Sequence, residues 1–283
     1  MIWLLCSIAC STIIFLLFTW MGRKGIHTLT TIVINYAVAA GFGWLQSGMG
    51  QAGSSLASWW WSALIIGSLF VGMFLLIAAT AQRIGVSVAT VANKMSLVIP
   101  VLAAVFLFDE TLSALRLVGV LLALVAVFMV AHQPGSSMGN GRTWWLPVLL
   151  FVGSGFMDTL IKYTEHHFLA DGNSAGFLAV CFSVALLCAL AYAFTQGGLK
   201  ISSSNIGYGL ALGLVNYGSI WFFVQALTFS GLPNAVVFPV NNMAIVGASA
   251  VLAWAVFRER LTRLNTAGIL LAVVAIGLIG LAS

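Results

Sequence analysis

The sequence predicts an all-α, polytopic membrane protein of ten transmembrane helices arranged as two inverted five-helix repeats. Three observations carry that expectation: the scarcity of charge, ten apolar stretches of spanning length, and a motif that recurs in each half. Only 11 basic and 6 acidic residues occur among 283, and 61% of the chain is hydrophobic. A soluble domain carries about 25% charged residues, whereas 6% cannot cover a water-facing surface of this size. The solvent is therefore mostly lipid.

A spanning helix needs about 20 mainly apolar residues. Such stretches fall at 2–20, 28–45, 60–81, 86–108, 114–131, 144–163, 173–195, 205–229, 233–257 and 263–281. Short punctuations separate them, among them Gly22-Arg23-Lys24-Gly25, Gln133-Pro134-Gly135-Ser136 and Gln196-Gly197-Gly198. No connection is long enough for a soluble domain, so any function must sit in the bundle. The alternating ten-residue pattern of a membrane β-barrel is absent. The first stretch has no basic flank and no small-residue cleavage site, unlike a removable signal peptide. Trp59-Trp60-Trp61 and Trp144-Trp145 stand where an aromatic belt would meet the headgroups. Cys6 and Cys10, and likewise Cys181 and Cys188, share a helix face by their spacing. A disulfide or metal pair is one reading, and small apolar contact residues are the simpler one.

Loop charge sets the expected orientation. Arg23, Lys24, Arg83, Arg142, Lys200, Arg258, Arg260 and Arg263 follow spans one, three, five, seven and nine, whereas the other loops hold only Arg116 and the borderline Lys162. The odd-numbered loops are therefore expected in the cytoplasm, with both termini outside.

The internal repeat is read from residues that recur in order. Gly85-Val86-Ser87-Val88-Ala89 answers Gly231-Leu232-Pro233-Asn234-Ala235, and Asn93-Lys94-Met95 answers Asn241-Asn242-Met243. Phe108-Asp109-Glu110-Thr111-Leu112-Ser113 answers Phe257-Arg258-Glu259-Arg260-Leu261-Thr262, and Gly119 answers Gly268. The repeats are assigned to residues 1–131 and 144–283. Five spans per copy is an odd number, so the second copy enters the membrane in the opposite sense. That plan is common in secondary transporters, whose site lies near the midplane between the halves.

These two Glu-containing turns, with Pro100 and the following Gly119 and Gly268, resemble the repeat of the drug/metabolite transporter superfamily, and most closely its ten-helix EamA-type branch. The likeness covers the whole chain in layout and is specific only in those turns. Asp109 and Thr111 stand where the family often has a basic residue, and the second copy lacks a match to Pro100. The resemblance implies a permease for small metabolites, often amino acids or related organic compounds, working by alternating access. It also implies a multi-pass protein of a bacterial inner membrane, whose partners are a small-molecule substrate and the lipid bilayer; protons enter as a coupling ion only through the reading of Asp158 below. No cofactor, metal or nucleic acid is expected.

Charges at membrane depth cost about 2.5–3.5 kcal/mol on insertion scales and point to function or to a partner. Lys94 lies roughly 4–5 Å from the expected midplane at 1.5 Å rise per residue, too deep to snorkel through a half-layer of about 15 Å. It is read as an anion contact or as half of an ion pair. Asp158 lies several ångströms inside span six, and Lys162 one turn on could pair with it locally. Because Lys94 and Asp158 fall in different repeats, they could bind the two ends of a zwitterion, pair with each other, or carry a proton at Asp158. Asn35, Asn93, Asn216, Asn241 and Asn242 are amides at membrane depth, which bond across helices or bind ligand. Tyr217, Trp221 and Gln225 recur every four residues on one face of span eight and are read as a cavity wall or as packing. Glu110 and Glu259 are read as turn caps or partners of nearby arginines. Gly209 and Gly213 form a small-residue helix contact. Pro100 and Pro239 free backbone carbonyls beside the polar patches. His166 and His167 have no third metal ligand at useful spacing. No nucleophile–base pair, carboxylate pair or metal motif for a membrane enzyme stands out, and nothing suggests the symmetric rings of a channel.

Overall fold

The computed structural model describes residues 1–47, 56–107, 113–131, 144–168, 174–229, 234–259 and 261–281. Phe108-Asp109-Glu110-Thr111-Leu112, Gln133 to Ser136, Arg142, Gly231-Leu232-Pro233 and Arg260 lie outside the described residues, as do the side chains of Arg116 and Pro239.

Helices alone make up the described secondary structure: α1 (Ile2–Arg23), α2 (Thr28–Ser47), α3 (Leu56–Arg83), α4 (Val86–Met95), α5 (Val98–Leu107), α6 (Ala114–Ala131), α7 (Trp145–Phe168), α8 (Ser174–Thr195), α9 (Ser203–Phe229), α10 (Asn234–Phe257) and α11 (Arg263–Leu281). Nine segments of the described chain are long and apolar enough to cross a membrane, and Leu117–Met129 within α6 is a shorter apolar helix. Large apolar side chains cover the outside, as on α6, where Leu121 is 54% and Phe128 72% exposed. Water would reject such a surface and hydrocarbon accepts it. The chain is a multi-pass membrane protein.

Span four departs from the single helix expected over 86–108. It breaks after Met95 and restarts at Val98 as α5. Pro100 is the physical reason: its ring excludes the carbonyl four residues back, that of Ser96, and supplies no N–H to it. Ser96 O instead accepts from Ile99 N at 2.9 Å in a tighter turn, and Ser96 Oγ donates to Asn93 O at 2.5 Å. Pro100 then sits in the first turn of α5, where an N–H is not needed. The matching stretch of α10 runs unbroken past Pro239.

Packing follows a paired plan. Helix α1 lies on α9 as α7 lies on α3, α2 on α9 as α8 on α3, and α1 on α10 as α7 on α4 and α5. Three further pairs, α2 with α8, α4 with α10 and α6 with α11, join corresponding spans directly. At one of these seams Gly209 meets Ile34 and Gly213 meets Val38, with an added Cβ 2.6 Å from each Cβ, so the small-residue motif on α9 seats α2. Trp59 departs from the belt expectation: it is wholly buried, edge-on to Phe177 at 5.4 Å, while Trp60 is 53% exposed. The four cysteines are free. One large apolar core joins α1, α2, α3, α8 and α9 and takes in residues of α4, α7 and α10, and a second joins α4, α5, α6, α10 and α11 with Phe151 of α7.

Candidate functional site

A cavity of about 750 Å³ is lined by residues of α1, α2, α3, α4, α5, α7, α8, α9 and α10. Its floor is Phe15 and Ile77 at mid-bundle, and its walls run from there past Pro100, Lys162 and Phe223 toward the end opposite Arg23 and Arg83. Beneath the floor, Phe18 and Met21 are fully buried.

One wall is aromatic. Tyr36 approaches Phe74 at 5.5 Å and Phe182 at 6.4 Å, and Phe70 approaches Phe182 at 5.5 Å. The Tyr36 hydroxyl donates to Phe70 O at 2.6 Å, which satisfies it and leaves the ring face to the cavity. Phe15 and Phe223 extend the apolar lining.

The opposite wall is polar and is built where span four breaks. Lys94 occupies the last turn of α4 and lines the cavity, so its ammonium is deep in the bundle where a ligand in the cavity can meet it. Asp158 on α7 attracts it electrostatically. The hydroxyl of Ser96, in the break itself, lies 3.4 Å from Asp158 Oδ2. One residue before Lys94, the Asn93 amide donates to Ser154 Oγ on α7 at 2.8 Å. The break therefore ties α4 to α7 beside Lys94, and Lys94 and Asp158 line the same cavity. Lys162, one turn beyond Asp158, also lines the cavity.

Amides complete the polar side. Asn241 and Asn242 on α10 line the cavity, and Asn241 is 6% exposed with no partner for its Oδ1 among the described residues. An unpartnered buried acceptor costs about 1–3 kcal/mol, so a donor on a bound molecule would be stabilised there. Asn216 lines the cavity too and donates to Asn35 Oδ1 at 3.1 Å. Ser219 Oγ donates to Asn216 O at 2.8 Å, and Ser7 Oγ to Ser219 O at 3.1 Å, which fixes α1 against α9 beside the cavity.

Lys94, Asp158, Asn93, Asn216, Asn241 and Asn242 are thus brought together around one cavity. Asn35 is not among its lining residues; it is fully buried behind Asn216 and orients that side chain. Nor are Tyr217, Trp221 and Gln225. Tyr217 donates to Gln46 and stacks on Phe42 at 5.4 Å, Trp221 meets Trp3 edge-on at 5.7 Å, and Gln225 is half-buried on the same stripe. The face of α9 turned to the cavity is Asn216, Ser219, Ile220 and Phe223. Tyr217 is one residue, about 100° of helix, away from that face. An i, i+3, i+4, i+7 search anchored on Asn216 finds it, whereas a step of four anchored on the aromatics does not. The aromatic wall from α1, α2, α3 and α8 carries no sequence signal that sets it apart from core.

The cavity can therefore hold a molecule with charged ends and an apolar body, the ends at Lys94 and Asp158 and the body against the rings. No protein-family model matches the chain. It is similar to an uncharacterized protein of Haemophilus influenzae, 28% identical over 282 residues, covering 96% of this chain and 95% of that one.

Proposed function

We propose that the chain is a secondary active transporter of the inner membrane, moving a small metabolite by alternating access between two inverted five-helix repeats, 1–131 and 144–283. The substrate is an amino acid or related zwitterion or organic anion. The observation that carries this reading is Lys94 from the first half and Asp158 from the second, both lining one cavity at mid-bundle. Opposite charges on separate halves let a zwitterion bridge the parts that must move relative to each other. The paired helix packing supports the repeat, because the neighbours of each span stay nearly the same when the halves are exchanged. The break beside Lys94 fits a site made from a discontinuous helix. Lys94 receives the carboxylate, Asp158 the ammonium group, and Asn241 with Asn242 and Asn216 supply hydrogen bonds. Protons are the coupling ion, taken up at Asp158 when substrate is absent. The end bearing Arg23, Lys24, Arg83 and Arg258 is cytoplasmic.

The aromatic wall favours a second reading, a broad-specificity exporter of amphiphilic compounds, since rings accept many apolar bodies. A thermal-shift screen of metabolites on purified protein, followed by counterflow of any stabilising compound, separates the two. The first reading predicts stabilisation by compounds carrying both a carboxylate and an amine, dependent on Lys94. The second predicts stabilisation by unrelated lipophilic cations, independent of Lys94.

A further inference from the structure

The end of the bundle that carries the arginines is closed by contacts that have no equal at the other end among the described residues. Helix α1 packs on α3 and α4, and α2 on α3, while the corresponding pairs α7 with α9, α7 with α10 and α8 with α9 show no packing of the same extent among the described residues. The side-chain bonds agree. Thr19 Oγ1 donates to Ala81 O at 3.1 Å, and Gln82 Nε2 donates to Phe18 O at 3.0 Å and to Thr28 Oγ1 at 3.1 Å. Arg23 donates to Phe257 O at 2.8 Å, its guanidinium 4.6 Å from the centre of the Phe257 ring. These bonds lie below the cavity floor.

One residue there joins the halves through a charge. Glu259 follows α10, and its carboxylate accepts from Val86 N at 2.7 Å, Ser87 N at 3.3 Å and Ser87 Oγ at 2.8 Å, in the first turn of α4. That turn presents unsatisfied N–H groups and the positive end of the helix dipole. Two local conformations serve the contact. Gly85 sits at φ 142°, and a Cβ there would fall on the Glu259 carboxylate. Arg258, at φ 53°, holds the left-handed geometry that side chains disfavour, and it turns the chain so that Glu259 faces α4. The helix so held is short: ten residues, ending at the break, with Lys94 in its last turn.

We propose that Glu259 is a latch between the halves: its carboxylate on the N-terminus of α4 keeps the arginine-rich end shut, and it must leave α4 for the cavity to open there. Because α4 is a single short rod, the latch holds one of its ends and Lys94 the other, so ligand at Lys94 and closure at Glu259 act on the same element. The inference rests on the alternating-access reading for its purpose, but its test needs no substrate.

The test uses the full chain in lipid nanodiscs, with its four cysteines replaced, and a membrane-impermeant maleimide as probe. Ala81→Cys, 1% exposed at the latched end, reports opening there, and Ser11→Cys reports the opposite mouth. Glu259→Gln is expected to raise the Ala81→Cys labelling rate about tenfold, the scale of one charge-assisted bond lost from one state only, and to lower the Ser11→Cys rate. Ser87→Ala, which removes one of the three bonds, gives a smaller shift of the same kind. An unchanged Ala81→Cys rate overturns the proposal. So does a rise at both sites together, which marks Glu259 as a structural cap whose loss loosens the fold. Reciprocal shifts in a protein that moves no substrate leave the latch standing and remove the transport reading; transport with unmoved rates does the reverse.

Discussion

Lys94 and Asp158 are either each other's partner or the two ends of a binding site, and a double-mutant cycle distinguishes them. Removing one member of a wholly buried ion pair costs about 3–5 kcal/mol, because a charge is left without compensation. Here the cavity reaches both groups, so solvent relieves part of that penalty. The stability cost of Lys94→Ala or Asp158→Ala is therefore placed below that range, at about 1–2 kcal/mol. Binding is a separate quantity. A hydrogen bond to a charged group contributes about 1.5–3 kcal/mol, and each 1.4 kcal/mol is tenfold in affinity. Lys94→Ala should then weaken a carboxylate-bearing ligand by about 10- to 150-fold, and Asp158→Asn should weaken it through the amine. The assay is ligand-induced thermal shift with counterflow in proteoliposomes, on both single variants and on Lys94→Ala/Asp158→Ala. The double variant is expected to regain stability relative to either single one while transport stays lost. Transport that recovers in the double variant would refute the binding role and leave only an ion pair.

Three further outcomes test the packing and the loops. Gly67→Ala places a Cβ 2.6 Å from Cys181 O and from the Val184 Cβ, a backbone clash that α3 and α8 relieve only by separating. It should cost about 1–3 kcal/mol, while Gly72→Ala, with nothing within 4 Å on the same helix, should leave the melting temperature unchanged. Asn216→Leu removes the donor to Asn35 Oδ1, and the loss of one interhelical bond should lower stability by about 0.6–1.7 kcal/mol in a thermal melt. His27, in the turn between α1 and α2, has its pKa lowered by burial and then by Lys200 from the usual 6.5. A depressed pKa means the unfolded chain binds the proton more readily, so stability is full above about pH 6.5 and is lost as pH falls through the folded value. Melting temperature measured from pH 8 to pH 5 should fall at the acid end, and His27→Gln should flatten that slope.

What the sequence disclosed follows from the physics of each signal. Lipid leaves a strong mark, since 6% charge over 283 residues has few other solutions, and the helix positions were legible from it. The Gly209–Gly213 contact was legible because only missing side chains let backbones approach so closely. Lys94, Asp158 and the amides of span nine stood out because polar groups in hydrocarbon are costly. The break at Ser96 was indicated only by Pro100, and Pro239 in span nine lies in an unbroken helix, so proline alone does not specify one. Tyr217 and Trp221 were read as a cavity wall or as packing because an aromatic ring fits a lipid face, a helix seam and a cavity equally well. Here the seam holds them, with Gln46, Phe42 and Trp3. The Phe and Tyr wall from four separate helices could not be assembled without the fold. Glu259 was expected to cap a turn or meet an arginine; the turn it caps is the first of α4, at Val86 and Ser87, about 170 residues away in sequence.

The central claim is that this chain moves an unchanged small molecule between compartments through the cavity at Lys94. The most direct measurement is counterflow of a labelled compound selected by thermal shift, in sealed proteoliposomes and again after the vesicles are made leaky with detergent. The account predicts label accumulation in sealed vesicles alone, recovery of the compound chemically intact, and loss of accumulation with Lys94→Ala. Accumulation that survives Lys94→Ala, or conversion of the compound in detergent, would contradict it.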